Sequence, residues 1–380
     1  MSRIQSALLV VLAIFICTVS TNAQRSRVAD VPMLQRGLEP AVEIKINGQG
    51  PFLFAIDTGG GMQADLDPSV AAQLKLPTNG KVRAGDPSGR NGHDYDTVLV
   101  ESLSFGGAEF RGITAMVREQ RMAPNTARID GILGFALFAD YLLTLDYPGK
   151  RVLVERGELP QTNGSDIMAF RVEQHIPVID LLVGSLKLNA HIDSGNMMGG
   201  FALPESAIGK LKLASEPVTV GRASSISNVF EIKEVRLAEA IKLGSFEFAQ
   251  PKVTFPTVAE HANIGSAILQ EFALTFDQKN ERLKLKRTVL KSEPIPVVTA
   301  SGTKDYSGRY GARSIFQLAN DWYIQRDGGP RLKLVAAGKD EFTLAEVPEA
   351  RIKFLRGADG KISELLVLNR EGQWESAKKE

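Results

Sequence analysis

The chain has 380 residues, a formal net charge of +1, 43% hydrophobic residues and a single cysteine. That length accommodates two or three domains with a sizeable core, and the composition lies far from the low-hydrophobicity signature of disorder. A near-neutral balance with no long block of one sign argues against a nucleic-acid partner, or an anionic membrane surface, held by bulk electrostatics.

The first element in chain order, residues 1–23, reads as a secretory signal. Arg3 supplies the positive start, Ala7 to Val19 form an apolar run, and Thr21-Asn22-Ala23 offers a small-residue cleavage site. The run falls short of the ~20 apolar residues that span a bilayer, so cleavage is expected rather than anchoring. Ile16 before Cys17 is bulky where a lipoprotein signal needs a small residue. Cleavage removes Cys17, leaving an exported chain without disulfides, a thiolate nucleophile or a cysteine metal site. The expected destination is the periplasm or full secretion, with no membrane association after cleavage.

Two segments, 39–155 and 169–290, then carry the same landmarks in the same order, an internal repeat. Each opens on alternating apolar residues of half-buried strands: Val42, Ile44 and Ile46 in the first, Leu181, Val183 and Leu186 in the second. Each reaches an apolar residue followed by Asp-Thr/Ser-Gly, namely Ile56-Asp57-Thr58-Gly59 and Ile192-Asp193-Ser194-Gly195. A Leu-Lys-Leu follows in both, at Leu74 and Leu211, each after a proline (Pro68, Pro204) suited to the first turn of a short helix. Gly85 and Gly221 each lie 28 residues after their Asp, and hairpins are expected beyond them. Leu103 to Phe110 answers Ile241 to Phe248, and Gly134 to Asp146 aligns without a gap on Gly265 to Asp277.

A proline-containing connector is expected at 291–303, and a small antiparallel β module at 304–380. Its strand-like runs are Ile315 to Gln325, Leu332 to Val335, Phe342 to Val347, Ile352 to Leu355 and Ile362 to Leu368, with turns at Asp327-Gly328 and Asp359-Gly360.

The chemistry resides in the paired Asp-Thr/Ser-Gly motifs. One alone means little; two at equivalent points of a repeat, each after an apolar strand, point to a shared site. A strand delivers each Asp, and the small residues after it make a tight turn. Two carboxylates brought within ~3 Å cannot both ionise comfortably, so they share a proton and titrate as a pair. The ionised member activates a water and the protonated one polarises a carbonyl, without metal or cofactor.

These residues resemble the aspartic-protease superfamily over 39–290, and most closely its compact retropepsin-like members with two fused subunits. The later apolar-apolar-Gly, Ile132-Leu133-Gly134, and its counterpart Asn263-Ile264-Gly265 belong to the same pattern. The resemblance implies a mainly β, bilobal acid-protease fold of two pseudo-twofold-related, barrel-like lobes. It implies Asp57 and Asp193 as the catalytic pair, and Thr58 and Ser194 cross-linking the two loops beside Gly59 and Gly195. The motifs at Ile132, Leu133, Gly134, Ile264 and Gly265 would pack beneath those loops. The partner implied is a polypeptide substrate, hydrolysed by a monomer; the alternative is an inactive, exported peptide-binding or scaffolding protein on the same fold. The chain departs from the pattern at three points. Gly60 and Asn196 stand where pepsins place a Ser or Thr that bonds the carboxylate, Asn263 replaces an apolar residue, and only Tyr95 could substitute for a flap tyrosine. The terminal module resembles small β domains appended to penicillin-binding-protein-like serine hydrolases, on Tyr306-Ser307-Gly308-Arg309-Tyr310 and Phe354 to Gly360.

Other readings are weaker. His191, two residues before Asp193, suggests half of a metal site, but no second ligand pair is spaced to complete it, so a packed His191 is expected. His93, His175 and His261 read as surface or loop residues. Gly59-Gly60-Gly61 lacks the Lys-Ser/Thr of a phosphate loop, and no Gly-x-Ser-x-Gly is present. Met62 and Met197 read as packing residues.

Overall fold

The computed structural model describes residues 25–36, 38–85, 91–120, 128–196, 199–225, 227–287, 306–318, 321–326, 331–344, 350–357, 359–368 and 374–380. The expected signal and connector, Met197, and the Asp327-Gly328 turn lie outside the described residues. The fold is mainly β, as the alternating patterns anticipate. One eight-stranded sheet comes from residues 34–117 and 131–134, and a larger sheet from residues 171–265. A six-stranded sheet draws on both repeats, and an antiparallel eight-stranded sheet occupies residues 308–378.

The strands follow from the residue alternation. In Glu39–Ile46 the side chains of Val42, Ile44 and Ile46 are buried while Glu43 and Lys45 face solvent. Leu181 and Val183 do the same in Ile176–Val183, with Leu182 exposed between them. Strand Glu39–Ile46 also pairs with His93–Phe105, which curls the first sheet back on itself. Burial of such side chains, at about 1.5–3 kcal/mol each, unites both repeats in one continuous core.

The six-stranded sheet carries the symmetry of the repeat. Leu142–Asp146 pairs antiparallel with Phe272–Asp277, and Thr144 lies directly opposite Thr275. These two residues are equivalents in the gapless alignment. Their hydroxyls meet at 2.8 Å.

Local details differ between the copies. Pro68 opens a six-residue α-helix, Pro68–Gln73, capped by the Asp67 carboxylate on the Ser69 N–H. Pro204 precedes a 3₁₀ helix, Glu205–Lys210, rather than entering it. The matched spacing of Gly85 and Gly221 also misleads. Gly221 sits inside strand Val218–Ser224 at φ 157°, where the ladder register shifts. Its structural counterpart is Gly80, at φ 153° and at the same kind of shift in Thr78–Ala84. A ladder irregularity that needs positive φ selects glycine in both copies; counting from the Asp cannot find it, because the intervening loops differ in length.

The terminal sheet has its own core around Tyr306, Tyr310, Phe342 and Phe354. The run expected over Ile315 to Gln325 is two strands, Arg313–Leu318 and Asp321–Arg326, paired as a hairpin. The run expected from Phe342 to Val347 is described as strand only over Glu341–Leu344, and Gly308–Tyr310 and Trp374–Lys378 add edge strands beyond the sequence reading. Tyr306 donates to buried Asp340, which Arg356 also binds through two nitrogens.

Candidate active site

Each aspartate ends a strand and is flanked by a parallel one. Gln49–Asp57 runs beside Gly131–Gly134, with Asp57 opposite Gly134. Leu186–Asp193 runs beside Ala262–Gly265, with Asp193 opposite Gly265. The packing motifs are those flanking strands, with Leu133 and Ile264 fully buried. The backbone makes the same turn above both: Phe135 N–H donates to Gly60 O at 3.1 Å, and Ser266 N–H to Asn196 O at 3.0 Å. A side chain on Gly134 would strike the Met62 carbonyl, and one on Gly265 the Gly199 carbonyl, so neither position tolerates a β-carbon.

Thr58 and Ser194 tie the two turns together. Thr58 N–H donates to Ser194 Oγ at 2.9 Å, and Ser194 N–H to Thr58 Oγ1 at 3.0 Å. Each hydroxyl then donates onward, Thr58 to Ile192 O at 2.6 Å and Ser194 to Ile56 O at 2.7 Å. Both side chains are fully buried, so all four bonds form away from water.

This lock brings the carboxylates together. A β-carbon on Gly59 would stand 2.6 Å from the Asp193 carboxyl carbon, and one on Gly195 would run into the Asp57 carboxyl. Each acid therefore lies against the other motif's glycine, an approach that only glycine permits. Burial, then the Asp193 charge, then Glu39 push the Asp57 carboxyl well above the usual carboxylate range, against the opposing pull of the Gly59 N–H. Such a pair can hold one proton and one charge side by side.

The surroundings of the two acids are unequal. Asp57 Oδ1 accepts from Gly59 N–H at 2.8 Å. Asp193 Oδ1 accepts from Asn196 N–H at 2.9 Å, and its Oδ2 from Asn263 Nδ2 at 2.7 Å. Asn196 Nδ2 donates in turn to Asn263 Oδ1 at 2.9 Å. In sequence these asparagines register only as departures from a pattern; pairing the strands makes them neighbours of Asp193. Glu39 and Tyr147, both buried, were likewise missed. Glu39 looks like the polar start of a strand, and Tyr147 directly follows the Gly134 to Asp146 segment; only packing shows that Glu39 acts on Asp57 and that Tyr147 senses the pair. Ser266, fully buried, donates to Ser194 O at 2.8 Å and has the Tyr147 hydroxyl 3.5 Å away.

Each repeat also contributes a hairpin, and the two hairpins approach each other. Thr78–Ala84 pairs with His93–Phe105, and Val218–Ser224 with Val229–Arg236. Their tips meet where Asn91 Nδ2 donates to Asn228 Oδ1 at 2.8 Å. Tyr95 lies on the first hairpin, opposite Val82 and edge-on to His93. His191 stacks on His261 at 5.4 Å, and His261 is exposed at a bend, as the sequence reading of a surface or loop residue expects. Burial, then His261, push the His191 imidazole below its ordinary value. Among the described residues no group of three His, Cys, Asp or Glu is placed to hold a metal ion.

No curated protein matches the chain. Residues 42–137, which include Asp57, Thr58, Gly59 and the motif at Ile132 to Gly134, match the family model described as aspartyl protease. That match makes this part of the chain aspartyl-protease-like and supports, at a coarse level, a hydrolase of the protease class.

Proposed function

We propose that the protein is an exported aspartic endopeptidase in which Asp57 and Asp193, from two lobes of one chain, form a single hydrolytic site. The observation that carries this reading is the reciprocal seating of each carboxyl against the other motif's glycine. With one proton shared, the ionised carboxylate takes a proton from water as the water oxygen bonds to the peptide carbonyl carbon. The protonated carboxyl gives its proton to the carbonyl oxygen. The tetrahedral diol then loses its C–N bond. The first proton passes to the departing nitrogen and one diol proton returns to the pair, leaving a free carboxyl and a free amine. An extended peptide would bind by strand-type hydrogen bonding, and the second hairpin offers the exposed Val218, Val220 and Val229 for apolar contact with it. One chain supplies both acids, so a monomer suffices.

The test is cleavage of a denatured protein and of a peptide library from acidic to neutral pH by the wild type, Asp57→Asn and Asp193→Asn. Turnover by the wild type alone supports the reading. Equal inertness of all three with retained peptide binding replaces it with a binding protein on the same fold.

A further inference from the structure

We infer that Asn196 and Asn263 are positioning residues that break the symmetry of the acid pair, fixing Asp193 as the ionised member and leaving the shared proton on Asp57. This rests on the reading of the two acids as one proton-sharing site.

The argument is the direction of hydrogen bonds. Both groups aimed at the Asp193 oxygens are N–H donors: Asn196 N–H on Oδ1 and Asn263 Nδ2 on Oδ2. A donor rewards an oxygen that only accepts, and a proton on Oδ2 would face another hydrogen. The orientation of the Asn263 amide is not free, because its oxygen is occupied by Asn196 Nδ2. The Asn196 side chain is itself seated by glycines, since a β-carbon on Gly199 would collide with it. Among the described residues the first repeat offers a backbone donor but no side-chain one. Gly60 stands in place of Asn196 and Ile132 in place of Asn263, and among the described residues Asp57 accepts one hydrogen bond, from the Gly59 backbone.

The charges around the pair act in the same direction. Asp57 is surrounded by Asp193, buried Glu39 and Asp65, all of which favour its protonated form. Asp65 is paired to Arg118 at 2.7 Å. On the other side, the Asp193 charge acts on the His191 imidazole, which is stacked on His261, while the Tyr147 hydroxyl senses both acids. Burial favours the neutral imidazole, so His191 provides no fixed cation to hold the Asp193 charge, and the two amides do so instead.

The experiment uses the full chain labelled with carboxyl-¹³C aspartate, titrated without substrate, in wild type, Asn263→Ile (the first repeat's own residue), Asn263→Asp and Asn196→Gly. Each is first checked for an intact thermal transition, and Asp57→Asn and Asp193→Asn assign the signals. Losing one N–H bond to a charged oxygen should raise the pair's first proton loss by about one pH unit in Asn263→Ile, and by less in Asn196→Gly, which keeps its backbone donor. The acid limb of kcat/KM should move by the same amount, with KM changed less than about twofold. The inference is overturned if the first proton loss is unmoved in every folded variant, or if the wild-type signal ionising first belongs to Asp57. Because the titration needs no turnover, an inactive wild type refutes the hydrolase reading without touching this result.

Discussion

Around Asp57 the first repeat places Gly60, Ile132 and Phe135; at the equivalent points around Asp193 the second repeat places Asn196, Asn263 and Ser266. The backbones of the two regions are alike, from the parallel strand pairs to the turn bonds on Gly60 O and Asn196 O. The side chains are not, and the polar set lies wholly on one side. Duplicated backbone is what delivers two acids to one point; unequal side chains are what distinguish two acids that symmetry would make identical. A water-activating pair needs both properties, because one member must accept a proton while the other donates one.

The comparison breaks most severely if the acids are not equally required. Asp57→Asn and Asp193→Asn should each lower kcat by about 10²–10⁴-fold on a cleavable peptide, the range of general acid–base assistance. Turnover surviving in either purified variant removes that residue from the site. Next in size, Gly59→Ala and Gly195→Ala each place a methyl group against the opposite carboxyl. Displacing a reacting group by ~1 Å costs on the order of 10²-fold, so kcat should fall by that much in both. Equal losses uphold the symmetry of the backbone, and a loss confined to one variant would deny it.

Thr58→Val and Ser194→Ala probe the lock between the turns. Each removes a buried hydroxyl that accepts one N–H and donates to one carbonyl. Urea unfolding should show each variant less stable by about 2 kcal/mol, from unsatisfied buried groups. Closely matched values are expected, since the two networks mirror one another.

The smallest effect sharpens the difference between the two sides. The Asp57 carboxyl is raised in the folded chain by burial, Asp193 and Glu39. The native state therefore binds its proton more tightly than the unfolded chain does, and wild-type stability falls as pH rises from the unfolded value of about 3.9 through the raised folded one. Asp57→Asn removes that penalty. It should melt above the wild type at pH 7, with the gain vanishing once the pH falls below about 4. Asp193→Asn should gain less at pH 7, because the Asn196 and Asn263 donors lose the carboxylate they face. Melting curves across pH decide both.

Much of this was legible in the amino-acid order because periodicity and repetition are local properties. Val42, Ile44 and Ile46 announce a half-buried strand by alternation, and two Asp-Thr/Ser-Gly motifs at equivalent points of a repeat announce a shared site. The positions of Thr144 and Thr275 in a gapless alignment were visible too, although their meeting across one ladder was not. The bulge glycines show where reading by spacing fails: Gly85 matched Gly221 by count, but Gly80 matches it in the ladder.

The sequence by itself determined the β periodicity and pointed to the repeat and to the two acids, since each is written in residues near one another along the chain. Only the tertiary structure decided that Asn263, 70 residues beyond Asp193, bonds its carboxylate, and that Glu39 is one of the charges acting on Asp57. The physical reason is that hydrogen bonds and electrostatic fields depend on distance in space. Strand pairing between remote segments sets that distance, and no local pattern encodes it.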